Sequence, residues 1–138
     1  APVTGSDLMR VALWKINRVL SIDEDLLGRL NDLREVTNLR VSDKQSTSII
    51  EDLMNSQGVG LPMASAILKF LRPDIFPIID VRAYRAITGK KIYYSQYSIE
   101  KYLSYAEKVR EIAEKKNIPF YQVDEQLYKF DEECNGKI

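Results

Sequence analysis

Gly58-Val59-Gly60-Leu61-Pro62-Met63-Ala64-Ser65 lies between two stretches with helical spacing. Asp80 follows Gly60 by 20 residues, within Pro77-Ile78-Ile79-Asp80-Val81-Arg82. Glycines tolerate backbone torsions that other residues resist, and they let an outside group come close to the main chain. A Gly-apolar-Gly turn between helices therefore predicts a helix-hairpin-helix. A helix starting near Leu61 points its unpaired N–H groups toward that turn, where a phosphate would be well received.

Working outward, the apolar spacing predicts helices almost throughout. Leu8, Val11, Ala12, Ile16 and Val19 form one face, with Thr4 or Ser6 as N-cap. Leu26, Leu27, Leu30 and Leu33 form another after the acidic start Asp23-Glu24-Asp25, which suits a helix dipole. A third helix is expected from about Ser42 to Asn55, burying Ile49, Ile50, Leu53 and Met54. The fourth runs from about Leu61 to Leu71, with Pro62 in its first turn, where a missing N–H costs nothing. Phe76-Pro77-Ile78-Ile79 is short and apolar without a partner strand, so it is expected as an extended connector. Asp80 then caps or opens a helix reaching Thr88, which Gly89 terminates. After the tyrosine-rich loop Ile92–Tyr97, Ser98 caps a long helix carrying Ile99, Tyr102, Leu103, Ala106, Val109, Ile112 and Ala113. A last helix starts at Pro119 and is expected to bury Phe120, Val123, Leu127 and Phe130. The expected fold is an all-α compact bundle of about six or seven helices, one domain over residues 1–138.

Composition narrows the chemistry. The chain is 45% hydrophobic and 29% charged, as in a globular protein with a core. It has no histidine, which removes the usual general base and metal ligand. Its single cysteine, Cys134, excludes an internal disulfide framework and a four-thiolate metal site. Acid–base work falls to carboxylates, lysines or tyrosines, and no metal or cofactor is expected. With no membrane-length apolar run and no signal-peptide pattern at its start, the chain is expected to be cytoplasmic. Net charge is zero, yet residues 58–97 carry Lys69, Arg72, Arg82, Arg85, Lys90 and Lys91 against only Asp74 and Asp80. A modest basic face is expected around the turn and the carboxylate, in a protein that is not basic as a whole.

The stretch Gly58 to Arg85 resembles the helix-hairpin-helix DNA glycosylase superfamily. Those enzymes carry a Gly-apolar-Gly hairpin, an Ala soon after it, and an Asp about twenty residues on with an Arg following. Gly58, Gly60, Ala64, Ile79, Asp80 and Arg85 stand in those places. Trp14-Lys15-Ile16-Asn17-Arg18 and Val123-Asp124-Glu125-Gln126-Leu127-Tyr128 are similar to parts of a small bacterial branch of that superfamily. Bifunctional members place a nucleophilic Lys two residues after the second hairpin Gly. Here that residue is Pro62, so lyase chemistry through a Schiff base is not expected by that route. The cysteine cluster of many relatives is absent, and the chain is shorter than typical members.

Each candidate residue has a functional and a structural role to weigh. Asp80 would orient a water or stabilise the positive charge that builds on a deoxyribose; as an Asp before a helix it also serves as an N-cap. Lys15 stands in for the missing hairpin amine if the fold brings it near Asp80; otherwise it is a solvated neighbour of Trp14. Gly58, Val59 and Gly60 would present backbone to a DNA phosphate, or simply turn the chain. Arg82, Arg85, Lys90 and Lys91 would contact phosphates, or form a solvated face. Tyr93, Tyr94 and Tyr97 would stack on bases, or pack their rings and wet their hydroxyls. Lys115-Lys116 is expected to complement a helix dipole. Three functions stay open: a monofunctional base-excision glycosylase using Asp80, a non-catalytic module of the same fold binding nucleic acid or a protein partner, and a helical interaction domain without nucleic acid.

Overall fold

The computed structural model describes residues 2–4, 7, 22–56 and 58–136. The predicted first helix, with Trp14 and Lys15, lies outside them. The described residues form six α-helices and one 3-10 turn, with no strand among them. They sort into two compact units, Ala1–Phe76 and Pro77–Ile138.

In the first unit, α1 spans Glu24–Leu33, α2 Lys44–Met54 and α3 Leu61–Leu71. The Asp23 carboxylate accepts the Leu26 N–H at 2.8 Å and so caps α1, and Glu24 and Asp25 sit in its first turn. Leu26, Leu30 and Leu33, spaced one helical turn apart, are its buried face. Asn31 clamps the chain start, donating to the Val3 C=O at 2.8 Å and accepting the Val3 N–H. At the other end Arg72 acts as a remote C-cap, donating to the C=O groups of Leu33 at 3.0 Å and Val36 at 2.7 Å. Asp74 holds that guanidinium by both oxygens, at 3.1 and 3.0 Å.

α3 is the core of this unit. Eight of its 11 residues are buried, so it is apolar on nearly every side. Burying a side chain such as Ile67 or Leu68 contributes roughly 1.5–3 kcal/mol. Its one buried hydroxyl, Ser65, donates to the Pro62 C=O at 2.8 Å and so adds no unsatisfied polar group. Between α2 and α3, Gly58 takes a φ of 81°, which an L side chain resists, and Val59 is buried.

In the second unit, α4 spans Val81–Thr88, α5 Ile99–Lys116 and α6 Phe120–Asn135, with the 3-10 turn Tyr94–Gln96 before α5. Ser98 caps α5 as expected, accepting the Lys101 N–H at 3.2 Å, and Gly89 ends α4 at a φ of 74°. Tyr102, Tyr105, Ala106, Val109 and Ala113 are the buried stripe of α5; Tyr105 joins a face on which Leu103 and Ile112 are only half-buried. The Arg110 guanidinium lies 3.7 Å over the Phe120 ring.

α6 departs from expectation. Val123 is buried, but Phe120 and Leu127 are only half-buried and Phe130 is 53% exposed, while the acidic residues Asp124 and Asp131 are buried. Two carboxylates two turns apart can face inward because both are partnered. Asp124 accepts the Ile78 N–H at 2.9 Å. Asp131 accepts from Arg85 at 2.7 and 2.9 Å, from Arg82 at 3.2 Å and from Asn135 at 2.8 Å. The Arg85 hydrogen bond, foremost, holds the Asp131 carboxyl below the usual range, with Asn135 and the Arg82 charge adding to it against the cost of burial.

Candidate functional site

The connector before Asp80 is extended, as expected, but belongs to no sheet. Its backbone polar groups go to side chains instead. The Tyr102 hydroxyl donates to the Pro77 C=O at 2.9 Å, and the Tyr105 hydroxyl to the Ile78 C=O at 2.7 Å. Asp124 takes the N–H between them. Burial is the main cause that raises both hydroxyls well above the ordinary tyrosine range, followed by the Asp124 charge, so both stay donors at any neutral pH.

This anchoring fixes where Asp80 sits. One of its carboxylate oxygens accepts the Ala83 N–H at 2.7 Å, capping α4. Asp80 is half-buried. The Tyr97 hydroxyl feels its field: burial first, then Asp80, then Tyr84, push that group up to about 12. Among the described residues, the Tyr97 hydroxyl is a buried side-chain atom with no hydrogen-bond partner. A buried hydroxyl left so costs on the order of 1–3 kcal/mol, which makes it a feature needing an explanation.

The loop from Gly89 to Tyr97 is fixed in several places. Ile92 is buried within it. The Tyr93 N–H donates to the Gln96 side chain at 2.8 Å, and the Gln96 N–H donates back to the Tyr93 C=O at 2.8 Å. On that frame Tyr93 and Tyr94 stand 59% and 70% exposed, side by side. Lys90 and Lys91 are exposed before them, and the Lys91 ammonium lies 5.2 Å from the Tyr93 ring centroid.

Arg82 and Arg85 are on α4 but turn toward α6. Both guanidiniums pair with Asp131, and both reach the Gly136 C=O, at 2.9 and 3.3 Å. Arg82 also lies 5.6 Å over the Tyr128 ring. Gly58, Val59 and Gly60 belong to the first unit. Gly60 is the N-cap of α3 with no side chain to cap it, and Pro62 brings no N–H to the first turn. Just before the turn, Asp52, Asn55 and Ser56 line an open cleft of about 510 Å³ with Asp23, Asp25, Leu26 and Arg29. Arg29 is paired with Asp52, so that cleft is acidic on balance.

The residues that sequence reasoning passed over are Tyr84, Tyr105 and Asp131, and Asp124 was noted only within the stretch Val123–Tyr128, with no role of its own. Tyr105 was detectable in part, at i+3 from Tyr102 on the same helix. The others have polar or amphipathic side chains whose partners are far along the chain, and no local spacing marks them. Among the described residues, no group of three or more His, Cys, Asp or Glu is placed to hold a metal ion, and no helix is long and apolar enough to cross a membrane. Comparison with family models, with curated proteins and with solved structures gave no match.

Proposed function

We propose that this protein binds nucleic acid in the manner of helix-hairpin-helix glycosylases, and that Asp80 serves hydrolysis of an N-glycosidic bond. The observation that carries the proposal is the braced loop of the second unit, with two exposed tyrosines and two lysines, which starts at the end of α4 and returns to Tyr97, within the field of Asp80 at the start of α4. Exposed aromatic rings stack on any base face, and lysines beside them neutralise phosphates. In the first unit, taken by itself, Gly58 and Gly60 would present backbone to a phosphate at the start of α3. Arg82 and Arg85 act mainly on the fold, because Asp131 engages both.

In the reaction a water oxygen bonds to C1′ as the C1′–N bond breaks. The bond's electron pair goes to the leaving base, and a proton passes from the water through Asp80 to that base. The carboxylate also stabilises the positive charge building on the sugar. Pro62 leaves the hairpin without an amine, so no covalent imine forms there.

A non-catalytic nucleic-acid module is the second reading. It is favoured by the cap that Asp80 already makes to Ala83. Asp80→Asn and Asp80→Ala separate the two. Asn caps as well as Asp, so its stability should stay within about 0.5 kcal/mol, whereas Ala should cost about 1 kcal/mol. With catalysis at Asp80, the Asn variant loses base release from a panel of duplexes carrying deaminated, alkylated or oxidised bases, while its DNA affinity holds or rises. Wild-type activity retained in the Asn variant, or no base release by wild type, leaves the module.

A further inference from the structure

Of the tyrosines Tyr97, Tyr102 and Tyr105, the last two donate to the backbone of the Asp80 connector. Tyr97 is different. Its hydroxyl is buried and has no hydrogen-bond partner among the described residues; its residue precedes the Ser98 cap of α5, and the charges of Asp80 and Tyr84 act on it. Folding puts a donor there without giving it an acceptor among the described residues. A molecule with both an acceptor and donors fits between a hydroxyl that donates and a carboxylate that accepts. Water is the smallest such molecule.

We propose that Tyr97 is a positioning residue, whose hydroxyl donates to a water held against the Asp80 carboxylate. The water accepts from Tyr97 and donates to Asp80, which turns its remaining lone pair outward. In the glycosylase reading, on which the catalytic part rests, that lone pair bonds to C1′ while Asp80 takes the proton bound for the leaving base. Tyr97 itself neither gains nor loses a proton. Its raised titration range keeps it a donor throughout neutral pH.

The test is a double-mutant cycle of Tyr97→Phe with Asp80→Ala, read as thermal midpoint and as base release from the lesion panel. Tyr97→Phe keeps the ring and removes only the hydroxyl. The expected result is that Tyr97→Phe leaves the midpoint unchanged or lowered in the wild-type background and changes it differently in the Asp80→Ala background. On a duplex that wild type cleaves, kcat then falls by on the order of tenfold, as for one hydrogen bond lost in the transition state, with KM and DNA affinity unchanged. A midpoint that rises equally in both backgrounds shows a hydroxyl that holds nothing, and overturns the proposal. Coupling between the two residues in a protein that cleaves no duplex of the panel upholds the Tyr97–Asp80 water site and overturns the glycosylase reading alone.

Discussion

At the scale of single residues, Tyr97 gives the clearest pH signature. Its folded-state pKa is raised to about 12 from an ordinary 10.0, mainly by burial. The folded chain thus keeps this proton where the unfolded chain loses it. The stability linked to it is intact below about pH 10 and is lost as pH climbs toward 12. Thermal midpoints measured across that window should fall, and Tyr97→Phe should make the fall shallower. Equal slopes for both proteins would show that the hydroxyl sits in water-like surroundings. Asp80 as an N-cap was legible in sequence, because an Asp before an apolar-periodic run has a local meaning. The Tyr97 hydroxyl was not, because burial of one atom depends on what packs over it from elsewhere.

Among the elements, the link between α4 and α6 shows the limit of pattern reading. Periodicity placed Phe130 inside, and the fold put its neighbour Asp131 there. Helical spacing registers apolarity; it cannot see that Arg85, 46 residues earlier, supplies a bidentate partner. For the same reason Arg82 and Arg85 stood out in sequence as loose cations. By contrast α3, α4 and α5 were legible to within a residue or so, because Pro62, Asp80, Gly89 and Ser98 are local start and stop signals. The carboxylate of Asp131 is fully buried, so neutralising it removes the counter-charge of two guanidiniums and leaves them one amide oxygen and the Gly136 C=O as acceptors. Asp131→Asn should destabilise the protein by on the order of 3 kcal/mol, read by urea unfolding. A change under about 0.5 kcal/mol, the usual range for a surface site, would mean that the network is incidental to α4 and α6 packing.

For the molecule as a whole, charge is distributed more tellingly than its zero sum suggests. The cleft before Gly58 is acidic, whereas the loop after α4 pairs lysines with exposed tyrosines. Gly58 and Gly60 drew attention in sequence as a phosphate site, whereas the brace of the tyrosine loop was not legible: it depends on Ile92 burial and on the Tyr93–Gln96 exchange. The central claim, that this protein binds nucleic acid through that loop, is tested most directly by fluorescence anisotropy with labelled single strands and duplexes between about 50 and 200 mM salt. Binding is expected in the micromolar range, with a salt slope from about two to four phosphate contacts. Tyr93→Ala with Tyr94→Ala should weaken single-strand binding by about 1–3 kcal/mol per base unstacked. Lys90→Ala with Lys91→Ala should lower the salt slope by about two contacts. No binding to any strand at low salt, or loop variants that bind like wild type, would contradict the claim.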